Sequence, residues 1–215
     1  MSPITETIIQ EATAADIPTL SRHIEACKQE LSSMPGRPSD ATQFVTSSLE
    51  DIFTTCLKAV ETTSARIVGQ LFVTSGGGDG GGSGGTRDRR GSIGTVRPCQ
   101  FLQAPVTSAE EAIAQAMRWL RPDIRGDYLE LVHIYVDPAY RRQGIGTQLV
   151  RLCRDRARFD RLPLSVCTQP KCHEFFLNRR FGEAKRSDID LRAATDGHAR
   201  FGVIRFSRMY DTVCE

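Results

Sequence analysis

The sequence predicts an α/β (α+β) fold, with a central mixed sheet flanked by helices. Two observations carry the prediction. Leu129–Thr147 reads as an apolar strand, an Asp137-Pro138 turn, then a basic, glycine-containing loop that opens a helix. Around it, short apolar runs alternate with segments whose apolar residues recur at helical spacing. A chain of 215 residues is long enough for one domain with a real core, or for a core plus an insertion.

In chain order, Glu6–Gln10 reads as a short strand. A helix follows from Ala12 to about Leu31, with Ile17, Leu20, Ile24 and Cys27 or Leu31 on one face. Pro18 is tolerated because it falls in the first turn. Pro35-Gly36-Arg37-Pro38 breaks the chain, and Ser39-Asp40 can cap a second helix carrying Phe44, Val45, Leu49 and Ile52. Cys56–Glu61 and Arg66–Thr74 are strand-like and separated by a polar turn. Ser75–Gly85 is nearly all glycine and reads as a flexible loop, since it cannot bury enough surface to offset its ordering entropy. With a helix over Ser108–Leu120, whose Ile113, Met117 and Leu120 share a face, it makes an insertion spanning about 75–126. Thr147–Phe159 is expected to be a helix burying Leu149, Val150, Cys153 and Ala157, and Leu164–Cys167 a strand. A helix after Pro170 carries Phe175, Phe176 and Leu177, and Ile189–Arg192 with Arg200–Tyr210 form a closing strand pair.

Composition narrows the function classes. The formal net charge of +2 makes no global case for nucleic acid or an anionic membrane surface. No apolar stretch approaches the roughly 20 residues that span a bilayer, and residues 1–7 lack a basic region followed by an apolar run. The cysteines are scattered and odd in number, as in a reduced cytoplasmic or nuclear protein. Between Arg141 and Arg161 seven arginines face two aspartates. Nucleic-acid binding is one reading of that run; a solvated helix face led by ligand-binding arginines is the favoured one. Cys167, Cys172 and His173 do not complete a four-ligand set, so no metal is expected.

The loop itself is built to hold phosphate oxygens, because free backbone N–H groups and positive charge gather at a helix N-terminus. It is not a Walker A loop, since Gly146 is followed by Thr147 and Gln148 with no lysine. Nor does it complete a dinucleotide fingerprint, because Leu149 stands where the third glycine belongs. Arg141-x-x-Gly144-x-Gly146 after a strand ending Val136-Asp137-Pro138 instead resembles the pyrophosphate loop of the GNAT (Gcn5-related N-acetyltransferase) family. Val68-Gly69 resembles the Val-Gly pair of that family's third strand. Cys172 through Gly182 resembles its last motif, with Cys172 for Ala, Phe176 for Tyr and Arg180 for Gly.

The resemblance implies a mostly antiparallel sheet splayed between its fourth and fifth strands, in a single domain over 1–215. It implies acetyl-coenzyme A as co-substrate and an amine acceptor, with acetyl transferred directly in a ternary complex. Arg141, Arg142, Gln143, Gly144, Ile145, Gly146 and Thr147 would take the pyrophosphate. A backbone N–H among Ile134, Tyr135 and Val136 would polarise the thioester oxygen. A small-molecule primary amine is the expected acceptor; a catalytically silent acyl-coenzyme A binding module is the alternative.

A proton acceptor is needed, since an ordinary alkylamine with a pKa of about 10.4 is protonated at neutral pH. Glu130 is the first candidate, as a carboxylate on an otherwise apolar strand at the spacing of the family's catalytic glutamate. Its alternative is a glutamate in water or paired with an arginine. His133 is the second candidate, and a packed, hydrogen-bonded imidazole is its competing reading. Phe176 has no proton to give the leaving thiolate, which leaves Cys172, His173 or Tyr140 as substitutes.

Overall fold

A computed structural model describes residues 6–31, 38–77, 120, 122, 124, 126–190 and 203–211. Its strands are β1 (Thr7–Glu11), β2 (Thr54–Glu61), β3 (Ile67–Gly77), β4 (Asp127–Val136), β5 (Leu164–Thr168), β6 (Phe181–Asp190) and β7 (Val203–Asp211). They form one sheet in the order β1-β2-β3-β4-β5-β7-β6. The sheet is mostly antiparallel, with β4 and β5 as its parallel pair. The helices among the described residues are α1 (Ile17–Leu31), α2 (Pro38–Glu50), α3 (Ile145–Asp160) and α4 (Pro170–Leu177). This is the expected α/β class. None of these helices is long and apolar enough to cross a membrane.

The chain divides into two compact units, Met1–Ser75 with Leu131–Asp160, and Gly76–Glu130 with Arg161–Glu215. In the first unit β2 pairs antiparallel with both β1 and β3, and a bulge falls at Ala59/Val60. Leu20 and Ile24 of α1, Val45 of α2, Leu71 of β3 and Leu149 of α3 are fully buried. Phe44 meets Phe72 edge-on at 5.5 Å. A capped 3-10 turn over Ala14–Asp16 leads into α1: the Asp16 carboxylate accepts from Thr13 N at 2.7 Å and Thr13 Oγ1 at 2.9 Å.

The second unit packs α4 against the β6–β7 pair. Phe176 stands edge-on to Phe175 at 5.1 Å and to Phe181 at 5.2 Å. β7 pairs antiparallel with β5 on one side and β6 on the other, with a bulge at Glu183/Lys185. A backbone bond from Leu129 N to Pro163 O at 2.9 Å joins the start of β4 to the approach to β5.

Several sequence expectations need correction. Ile52 lies beyond the end of α2 and is 89 % exposed, because the chain turns at Asp51, whose carboxylate accepts from Phe53 N at 3.1 Å and Thr54 Oγ1 at 2.7 Å. Ser75, Gly76 and Gly77 belong to β3 instead of the glycine loop. Gly76 is needed there: a Cβ would sit 2.3 Å from the ring of Tyr128. The α3 helix begins two residues early, at Ile145, which is buried. β6 begins at Phe181, well before Ile189. The remainder of the glycine-rich stretch, and the Ser108–Leu120 helix except for Leu120, lie outside the described residues.

Candidate functional site

The loop after β4 is anchored to the β2–β3 hairpin by a small polar network. Asp137 N donates to Val68 O at 2.9 Å, continuing strand-like bonding past the end of β4. The Asp137 side chain then caps a 3-10 turn over Pro138–Tyr140: one carboxylate oxygen accepts from Ala139 N at 3.0 Å. The other accepts from Arg66 Nη2 at 2.7 Å. The Tyr140 hydroxyl donates to Glu61 at 3.0 Å, and that bond, ahead of slight desolvation, pushes its phenol above the ordinary value. Ser64 donates to the same carboxylate oxygen of Glu61. Proline pre-sets the backbone dihedral at the first position of the turn, and the aspartate satisfies the N–H of Ala139.

From this base the chain turns sharply into α3. Arg142 and Gly144 both take left-handed φ, +66° and +88°. A Cβ at Gly144 would meet nothing within 4 Å, so the glycine serves the backbone conformation and leaves open space above it. Gln148 N bonds Gly144 O at 3.0 Å, which starts the helical ladder and leaves Ile145, Gly146 and Thr147 as the first turn. The N–H groups of such a turn have no intrahelical acceptor and carry the positive end of the helix dipole. Arg141 folds back, donating from Nε to Val136 O at 2.9 Å, with its guanidinium 5.8 Å from the Tyr135 ring centre. Gln143 is half-buried and Arg142 exposed.

Gly69 explains how α3 comes so close to the sheet. A Cβ there would lie 3.2 Å from Tyr135 O, 3.3 Å from Ile145 Cγ2 and 3.5 Å from Ala59 Cβ. The Val68-Gly69 pair thus makes room for the first residue of α3. Ile134, Tyr135 and Val136 form the last three residues of β4, with Tyr135 buried.

His133 lies in a buried polar chain. Gln70 Oε1 accepts from His23 Nδ1 at 3.2 Å, while Gln70 Nε2 reaches His133 Nε2 at 3.1 Å and Leu20 O at 3.3 Å. The amide has only N–H groups to offer on that side, so His133 Nε2 is the acceptor and the imidazole is neutral. Phe72 stacks on its ring at 5.6 Å. Burial, and then the neighbouring His23, push the His133 imidazole down to about 3. Burial also lowers His23, which packs on Tyr135 at 4.9 Å. His133 is therefore a packed core imidazole, hydrogen-bonded to Gln70.

In the second unit Glu130 is buried, as expected of the odd carboxylate on an apolar strand, but it is ion-paired with Arg208. Arg208 Nη1 also donates to Ser165 Oγ at 2.9 Å, and its Nε donates to Leu120 O at 2.7 Å. Burial is the largest influence and pulls the guanidinium down, but the Glu130 charge and hydrogen bond, with Cys167 and Tyr210, together outweigh it and the net shift is upward. Phe176 is buried among aromatic rings. Arg180 takes φ +62°, the left-handed conformation that the family's glycine would suit at that position. On α4, His173 Nε2 and the hydroxyl of Ser207 both meet Glu183 Oε2 at 2.7 Å, and these bonds, with Ser207 first, hold the Glu183 carboxyl below its usual range.

Arg208, Ser165 and Gln70 escaped the sequence reading. For Arg208 and Gln70 the available signal was the one that singled out Glu130: a charged or amide side chain inside a run of strand-forming residues.

Comparison with known proteins agrees with this architecture. Residues 87–179 match the model of the Acetyltransferase (GNAT) family. The GNAT resemblance holds. The structure of Arabidopsis thaliana NAA60 in complex with a bisubstrate analogue shares 11% identity, with 95% of this chain and 97% of that one covered at a TM-score of 0.56. An N-acetyltransferase from Staphylococcus aureus Mu50 shares 12%, with 96% and 98% covered at 0.56. NAA60 in complex with acetyl-CoA shares 10%, with 95% and 97% covered at 0.55. At these identities the likeness is one of fold. No curated protein matches the sequence.

Proposed function

We propose that this GNAT-like chain moves an acetyl group from acetyl-coenzyme A to a primary amine of a small molecule, by direct transfer in a ternary complex. The observation that carries the reading is the braced turn from Val136 to Thr147. There, left-handed backbone at Arg142 and Gly144 delivers the first turn of α3 into open space beside two arginines. Such a cradle suits a pyrophosphate, which accepts several N–H bonds and charge-assisted bonds from arginine. The matched family model and the acetyl-CoA complex of NAA60 support the same ligand. The co-substrate would supply the acetyl group as a thioester. The amine nitrogen bonds to the carbonyl carbon, the carbon–sulfur bond breaks, the amine proton is released and the sulfur leaves as thiolate. A backbone N–H of the Ile134–Val136 segment would steady the developing oxyanion.

A catalytically silent acyl-coenzyme A binding module is the second reading. Phe176 favours it: the side chain is buried against two rings and has no proton for the thiolate.

Thermal unfolding with acetyl-coenzyme A, coenzyme A and ATP, followed by thiol release with an amine panel, tests both readings. Ligand at a hundredfold over its Kd adds about 2.7 kcal/mol. Stabilisation by the coenzyme A compounds but not ATP, with amine-dependent thiol release, is the expected result. Stabilisation without thiol release for any amine selects the binding module, and a flat response to all three ligands rejects both.

A further inference from the structure

β7 carries a charged side chain into the interior of the second unit. Arg208 faces Cys167 of β5 and Lys185 of β6 in register. Its guanidinium passes over β5, beside the fully buried Ser165, to reach Glu130 on β4. One side chain therefore binds groups from β4, β5 and the chain at Leu120, each at least 43 residues away from it in sequence. The small hydroxyl of Ser165 both leaves the passage open and accepts a bond.

The arrangement is costly as a stabilising device. Two desolvated charges give back little net stability, and apolar side chains of similar volume commonly hold a fold as well or better. Proton uptake by Glu130 would also leave the Arg208 charge buried without its counter-ion. What the pair does supply is geometry, because a guanidinium with three partners admits one placement of each.

Resting on the acetyl-transfer reading above, we propose that Arg208 is a positioning residue. It holds Glu130 as its counter-ion and, with the Leu120 carbonyl, fixes the first half of the strand that leads into the 141–147 loop. Glu130 then takes no proton in turnover.

The test is a double-mutant cycle on the full chain with Glu130→Met, Arg208→Met and the pair together. Urea unfolding midpoints and steady-state kinetics with acetyl-coenzyme A and an accepted amine are read for each. Each single change strands a buried charge and should lower the midpoint and turnover. The double change should restore the midpoint but lower kcat by about tenfold as the strand loses its fixed placement, short of the roughly hundredfold or more that a lost general base would cost. An unchanged kcat makes the pair merely structural, and a loss of about a hundredfold or more makes Glu130 the proton acceptor; either outcome overturns the proposal. Midpoint losses that simply add also overturn it. Should the double variant not fold, Glu130→Gln keeps the shape and an oxygen for Arg208. Its pH profile of kcat/KM should keep the parent's acid limb, and loss of that limb overturns the proposal. If the parent shows no turnover at all, the acetyl-transfer reading fails, and the unfolding midpoints alone decide whether Arg208 is the lock.

Discussion

Replacing Gly69 with alanine should loosen the hold on acetyl-coenzyme A without touching a ligand-facing side chain. The added methyl would sit 3.2 Å from Tyr135 O and 3.3 Å from Ile145 Cγ2, inside the roughly 3.5–4.0 Å optimum for carbon contacts. Neither neighbour moves freely, since one is strand backbone and the other opens α3 from a buried position. Overpacking of this kind costs about 1–3 kcal/mol. Removing a strand-interior glycine returns about 0.5–1 kcal/mol of chain entropy. The net loss is about 1 kcal/mol, or about 2–4 °C in Tm for a domain of this size. The ligand effect should be separate, because a shift of Ile145 displaces the first-turn N–H groups together. Scanning calorimetry gives the first quantity and isothermal titration with acetyl-coenzyme A the second. A Gly69→Ala chain with unchanged Tm and unchanged Kd would show that the close approach of α3 to β3 does not set the cradle.

Other outcomes follow from the same geometry. Gly144→Ala meets no neighbour, so its cost should be the left-handed backbone penalty of about 1–2 kcal/mol, seen as weaker acetyl-coenzyme A binding; retained affinity would argue against that loop conformation. Arg141→Ala and Arg142→Ala should each weaken binding by about ten- to a hundredfold, as charge-assisted bonds of about 1.5–3 kcal/mol imply, and the loss should shrink at high salt. Burial holds the His133 imidazole at about 3 in the folded chain, so the unfolded chain takes up its proton first, near the ordinary value of about 6.5. The contribution is complete above that pH and is lost as pH falls toward 3, at up to about 1.4 kcal/mol per unit. His133→Phe should therefore flatten acid unfolding between those limits, and an unchanged slope would mean that His133 is not held neutral. Arg66→Ala removes an ion pair whose arginine is 58% exposed, so a Tm change above a degree or two would contradict its solvent-screened character.

The sequence made the class of fold and the strand–turn–helix from β4 to α3 legible because both depend on local chemistry. Glycines, a proline turn and a strand-to-helix switch announce themselves within a few residues, and so the elements from β4 through α3 stand close to where periodicity put them. Boundaries failed where a long-range partner decides. Gly76 reads as loop until Tyr128 is known to need the space. Phe181 reads as the end of a helical motif until β7 offers it a strand to pair with. The partner of Glu130 was hidden for the same reason: an isolated carboxylate on an apolar strand signals burial, but the arginine that pairs with it lies 78 residues away. Gln70 shows the limit from the other side, since an amide between two imidazoles fixes both, and no sequence spacing joins residues 23, 70 and 133.

The sheet order also dictates a history for the chain. β7 is the last of the seven strands in sequence, yet it lies inside the sheet, with β5 on one flank and β6 on the other. Until residues 203–211 arrive, β6 has no neighbour among the described strands and Glu130 has no counter-ion. A nascent chain emerging from the ribosome would carry an open β5 edge and a desolvation-prone carboxylate for the whole interval between residues 190 and 203. Slow, non-local pairing of this kind is where aggregation competes with folding. Chaperone dependence during synthesis, relieved as soon as β7 closes the gap, is the expected signature.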